Sequence, residues 1–353
     1  LVGFAGTGTG ISGSFTNINA IIGSTGSDTL TGADLAGTFE LDGSDIYYVG
    51  SNEIGFSAFE TLNGGSLNDT FILTGARTYD LNGAAGNDRF VFKNGSSLNG
   101  TLNGGAGSDT IDFSDSTSTS YIVHLTALSG TDGFSGTIAG LIPGGFANIN
   151  TVTASTTAGF DQIYGLNSDS QWDVNGSSTM YNNGGQSLTI QNFDRLQGGD
   201  FKDTFILHGA ETGLLFGNAG NDIFHMNNGA TLKGTILGGG GVNLLDYSDF
   251  TTHVAVDLEL GTATGISSID SIQNVYGGSS SDTLNGNNGE NVIKGNAGDD
   301  VINGGDGNDI YLFSDGFGHD TITESNGIDT LDFSGVGTSL TFNLASSNVV
   351  NDA

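Results

Sequence analysis

The sequence predicts an all-β fold, a parallel β-solenoid with no substantial helix. Three observations predict it. Residues 277–312 fall into four nonapeptides, GGSSSDTLN, GNNGENVIK, GNAGDDVIN and GGDGNDIYL. Residues 59–114 recur at 193–248 with a constant offset of 134 residues. Elsewhere short stretches such as DTFIL and DRFVF alternate apolar with polar residues, and no segment keeps a 3.6-residue period. A unit of this length cannot bury its own apolar face, whereas stacked units share a continuous core.

The dense block shows how one unit is built. Each nonapeptide opens with glycine (Gly277, Gly286, Gly295, Gly304), carries an acid or amide sixth (Asp282, Asn291, Asp300, Asp309) and an apolar residue eighth (Leu284, Ile293, Ile302, Tyr311). The first six residues suit a tight curl and the last three a short strand with its eighth side chain turned inward. An Asp at every sixth position, beside the carbonyls of the curl, offers hard oxygen ligands of the kind calcium takes. Asp306 adds a further carboxylate in the fourth loop.

Taken from the start, the chain gives a first such loop at Asp28 in GSTGSDTLTG. Loops centred on Asp69, Asp88 and Asp109 follow, and their counterparts in the second copy are Asp203, Asp222 and Asn243. These lie 19 and 21 residues apart, close to two nonapeptides, so each coil reads as loop, strand, turn, strand. Phe71, Phe90 and Ile111, and again Phe205, Phe224 and Leu245, are expected to form inward ladders. GTFELDGSDIYY near Gly37 is matched by SQWDVNGSSTMY near Ser170. Residues 114–150 hold an insertion with the only proline, Pro143, expected to bulge near 127–145 as a surface loop. The Asp161 loop lacks the paired glycines. After Leu312 the pattern loosens, keeping Asp320 and Asp329. The large repeat divides the chain into copies at 1–134 and 135–260 and a partial third at 261–353, all expected in one continuous rod. The two ends resemble the same phase of the large repeat, and Leu1 reads as the start of a fragment or mature chain.

Composition narrows the function. The 353 residues include 61 Gly, one Pro and no Cys, with 39 acidic against 7 basic residues and a formal net charge of −32. Nucleic acid and anionic membranes would repel such a chain, and no run is long enough for a transmembrane helix. A cation that neutralises carboxylates is the expected partner. The absence of Cys suits a cytosolic protein or a secreted one held by metal. The five histidines are scattered, and HExxH, GxSxG and paired cysteines are missing, so an enzyme is not expected.

The nonapeptides GGDGNDIYL and GNAGDDVIN, with the tail that follows them, resemble the RTX (repeats-in-toxin) calcium-binding family. The resemblance implies a right-handed parallel β-roll with several Ca²⁺ ions held between equivalent loops of successive coils. Asp282 and Asp300 then lie on one edge, with Asn291 and Asp309 on the other, and Asn291 and Asn243 weaken their sites. The resemblance also implies export from a bacterium and folding triggered outside the cell by calcium. The expected role is structural, as an adhesin stalk, a filament or a surface-layer subunit. The alternative is an accessory module of a secreted epimerase, lipase or protease. Expected partners are calcium, further copies of the chain and a surface polysaccharide.

Overall fold

Short alternating strands stack in register, one coil upon the next. The computed structural model describes residues 4–9, 11, 14–117, 120–157 and 159–342, and among these no helix occurs. The resemblance between the chain's two ends falls partly outside the described residues. Every coil contributes one strand to each of two facing sheets. In the first sheet Phe39, Phe71, Phe90, Ile111 and Val152 lie opposite one another in parallel pairs. Further along, Trp172, Phe205, Phe224, Leu245, Val275, Ile293 and Tyr311 form a second inward column. The second sheet carries Leu30, Leu62, Leu81, Leu102 and Phe146.

These inward columns are the core. Phe39, Phe71 and Phe90 are fully buried and stack face to face, with ring centroids 4.8 and 5.0 Å apart. Trp172, Phe205 and Phe224 repeat the stack at 5.4 and 5.2 Å. In-register parallel pairing puts like residues over like at one strand spacing, which is why a single residue type can fill a column.

The pairings run linearly through eighteen strands in the first sheet and seventeen in the second, among the described residues. The terminal strands of the first sheet, Ala20–Ile22 and Thr330–Gly335, each pair on one side only, so the sheet is an open ladder along the solenoid axis.

The solenoid is not purely parallel. Four antiparallel meanders are set into the ladders. Thr38–Leu41, Ile46–Val49 and Asn52–Ser57 form one in the first sheet. Ile122–Leu128, Phe134–Ile138 and Ile142–Ile149 form one in the second. Ser170–Asn175, Ser178–Asn183 and Gln186–Gln191 return to the first sheet, and Ala255–Asp257, Thr262–Ala263 and Ile266–Asp270 to the second. Each meander lengthens its sheet by two strands, about 9–10 Å at the usual strand spacing. Because they alternate between the sheets, the extra length on one side is matched on the other before the next is added.

This corrects the expectation for residues 114–150. They do not bulge as a surface loop. Three of their strands enter the second sheet, with Phe134, Ile142 and Ile149 fully buried. Pro143 stands exposed at the start of its strand, before the pairing with Leu102–Ala106 begins at Phe146, where its missing N–H costs no ladder bond.

Candidate metal centres

The chain turns two corners per coil. At the first corner it leaves the second sheet and enters the first. Asp69, Asp88, Asp109, Asp203, Asp222, Asn243, Asn291, Asp309 and Asp329 lie there, each just before or at the start of a first-sheet strand. At the second corner it crosses back, and Asp28, Asp161, Asp282, Asp300 and Asp320 lie there.

Successive residues at a corner are joined in a ladder. The backbone N–H of Asp69 donates to Oδ1 of Asp88 at 2.7 Å, and that of Asp88 to Oδ1 of Asp109 at 2.8 Å. Asp109 donates onward to Oδ1 of Asn150 at 3.0 Å. Beyond the third meander the hydroxyl of Ser170 donates to Asp203, whose N–H donates to Asp222, then Asp222 to Asn243 and Asn243 to Gln273. Asn291 donates to Asp309 at 2.7 Å and Asp309 to Asp329 at 3.0 Å. The second corner repeats the arrangement from Val254 through Asp282 and Asp300 to Asp320.

An amide oxygen makes these rungs as well as a carboxylate does, as Asn150, Asn243 and Gln273 show. The ladder therefore explains Oδ1 and leaves Oδ2 unexplained. Oδ2 of Asp69, Asp88, Asp109, Asp161, Asp222, Asp300 and Asp309 is buried without a hydrogen-bond partner, and each of these residues is at most 1 % exposed. A buried, unpaired carboxylate oxygen is costly. Its surroundings sharpen the point. In Asn243 the second atom is Nδ2, which donates to the carbonyl of Ser271 at 3.0 Å. Where Asp stands in place of that amide, an oxygen faces carbonyl oxygens with nothing positive between them. Such a set of hard oxygens fits Ca²⁺.

The opening glycines are explained by the same atoms. A Cβ on Gly64 would lie 2.5 Å from Oδ2 of Asp69 and 2.6 Å from the carbonyl oxygen of Gly83 in the next coil. On Gly277 it would lie 2.5 Å from Oδ2 of Asp282 and 2.7 Å from the Gly295 carbonyl. Gly286, Gly295 and Gly304 face Asn291, Asp300 and Asp309 in the same way. The missing side chain leaves the space into which a carboxylate and, at Gly64 and Gly277, a neighbouring carbonyl converge.

Burial raises the carboxyls. Asp69, Asp109, Asp161, Asp203 and Asp300 are pushed up to about 6, and Asp88 and Asp222 to about 7, in each case chiefly by desolvation. Asp282, Asp309 and Asp320 are raised for the same reason. A bound divalent cation would reverse the penalty.

Four residues depart from the pattern. Asp28 turns both oxygens onto Ser24 of its own loop. Asp203 and Asp282 give Oδ2 to the N–H of Gly199 and Gly278. Asp306 stays out of the ladder and accepts from the Asn326 amide at 2.9 Å.

A family model described as the RTX calcium-binding nonapeptide repeat matches the chain in four copies, over residues 94–112, 214–230 and 276–311. The chain carries RTX calcium-binding repeats. The first two matched stretches contain Asp109 and Asp222, and the third contains Asp282, Asn291, Asp300 and Asp309, so the RTX matches fall on members of the corner ladders. A comparison with curated proteins finds none that matches. The chain is thus a β-roll that carries RTX calcium-binding repeats, and Asp69, Asp88, Asp109, Asp161, Asp222, Asp300 and Asp309 present the buried unpaired oxygens that are its candidate ion ligands.

Two members of the site depart from the repeat, Asp161 in a loop the sequence left doubtful and Glu324 at a position it did not mark. Asp161 lies in the second-corner ladder, accepting from the Tyr121 N–H at 2.7 Å, although its loop lacks the RTX glycines. Glu324 brings a carboxylate oxygen within 4.8 Å of ligand oxygens on Asp309 and Asp329. It stands where the repeat has its first glycine, so the consensus pointed away from it.

Proposed function

We propose that this chain is a calcium-stiffened structural rod of an extracellular bacterial protein, acting as a spacer or stalk and not as a catalyst. The observation that carries the reading is the alternation of the meanders. It lets the coil stack interrupt itself four times and still extend with both sheets in step, which is what a spacer needs and what an isolated ion site does not. Calcium supplies the switch. Calcium sites in extracellular modules typically bind with dissociation constants of about 10⁻⁴ to 10⁻³ M. An ion at ten times its dissociation constant contributes about 1.4 kcal/mol to the folded state. One ion is therefore too little to decide folding, and a row of them is enough. Inside a cell, where calcium is scarce, the row is empty; outside, it fills. The exposed strand edges at the ends of both ladders suit contact with further copies, and a surface polysaccharide remains a partner for the outer faces.

Small-angle scattering tests the reading. Seventeen or eighteen strands at about 4.8 Å make a rod roughly 80–90 Å long, with a radius of gyration below about 30 Å. An unfolded chain of this length has one near 70 Å. The rod is expected in millimolar calcium and the expanded coil in EGTA, reversibly. A rod that persists at submicromolar calcium would remove the switch, and a globular particle would remove the spacer.

A further inference from the structure

The last loop of the first corner is built differently from the others. Asn303 lies opposite Thr323 in the parallel pair of Val301–Gly305 and Thr321–Thr323, so Glu324 follows directly over Gly304. In the regular loop at Gly64 the glycine's open face meets its own Asp and the next coil's carbonyl. At Gly304 it meets Oδ2 of Asp309, the hydroxyl of Tyr311, and Oε1 of Glu324 at 2.6 Å from the position a Cβ would take. A charged carboxylate has replaced a neutral carbonyl. Carboxylate oxygens of Asp309, Glu324 and Asp329 lie within 4.8 Å of one another. Two of these atoms are themselves unpaired. The Tyr311 hydroxyl and Oδ2 of Asp309 both lack a hydrogen-bond partner, and their residues are 1 % and 0 % exposed.

We propose that Asp309, Glu324, Asp329 and the phenol oxygen of Tyr311 form a cation site of their own kind, tighter than the regular loop sites and the last to empty. It takes calcium, or a trivalent lanthanide of similar size. The proposal rests on the calcium reading of the ladders and goes beyond it in chemistry. Affinity in oxygen-ligand sites follows the number of charged ligands, and this loop adds Glu324 to the pair of successive aspartates that a regular rung such as Asp69 and Asp88 already has. Its residues Glu324 and Asp329 lie outside the stretches that match the repeat family.

Terbium titration of the full chain tests it, because a tyrosine at the metal sensitises terbium emission. The first ion bound is expected to emit strongly, and Tyr311→Phe to abolish that emission while the chain still folds with calcium. Glu324→Gln should weaken the first ion at least tenfold, and Glu324→Gly, which restores the glycine of the repeat, should make it indistinguishable from the rest. In both variants calcium-dependent circular dichroism should keep the wild-type amplitude. Unchanged first-ion affinity in Glu324→Gln overturns the proposal and leaves the calcium reading standing. No response of the wild type to either ion overturns both.

Discussion

At the scale of the residue, the unpaired Oδ2 is the feature that separates a metal site from a hydrogen-bonded turn. Asp88→Asn keeps the rung to Asp69 and removes the charge. It should shift the calcium midpoint of folding upward, readable by circular dichroism through a calcium titration at pH 8. An unchanged midpoint would mean that Asp88 holds no ion. Gly277→Ala places a methyl within 2.7 Å of two oxygens and should cost calcium-bound stability by roughly 1–3 kcal/mol, the range for overpacking.

The raised carboxyls also fix a pH dependence. Asp88 and Asp222 stand at about 7 in the folded chain against 3.8 when exposed, and Asp69, Asp109, Asp161, Asp203 and Asp300 at about 6. Between pH 4 and 7 the folded, metal-free chain therefore holds protons that the unfolded chain has released. Its stability is greatest below the unfolded value and is lost as pH rises through 6 to 7. With calcium the carboxylates are ionised and binding expels those protons. In EGTA the chain should accordingly regain β signal and a melting transition as pH falls from 8 to 5.5, while calcium affinity falls over the same interval. A metal-free melting temperature that rises with pH would contradict the burial of these groups.

At the scale of the element, the aromatic columns and the meanders set the geometry that the corners inherit. Phe205 is fully buried between Trp172 and Phe224, so Phe205→Ala should cost about 3–5 kcal/mol in calcium. The neighbouring Thr204, half-exposed on the outer face, should tolerate Ala within about 0.5 kcal/mol. Equal effects in denaturant titrations would place the column elsewhere. This scale also shows what a sequence can carry. The columns were legible because Phe71, Phe90 and Ile111 repeat at fixed phase between turn signals. The meanders were not, because their defining contacts are remote: Ala20 pairs with Gly55 across the hairpins, while Thr38 pairs forward with Thr70. Residues 122–149 alternate only loosely through glycine, serine and threonine, and nothing local distinguishes a strand laid into a sheet from a loop. The ladder at Asp282, Asp300 and Asp309 was legible from its period alone. Asp161 and Glu324 depart from the consensus, and only the register brings them to the corners.

At the scale of the whole molecule, a formal charge of −32 is gathered partly into two rows of buried carboxylates, each one coil from the next. Without a cation these rows oppose the stacking that the apolar columns favour. With it they hold successive coils together, and the alternating meanders keep the two sheets growing in step. The central claim is that calcium, acting on these rows, is a condition of the fold. The most direct measurement is far-UV circular dichroism of the full chain at pH 7.5, first in EGTA and then through a calcium titration, with magnesium as control. The account predicts loss of the β signal in EGTA and its cooperative return at about 10⁻⁴ to 10⁻³ M calcium, but not with magnesium. A chain that shows the full β signal and an unchanged melting temperature in EGTA would contradict it.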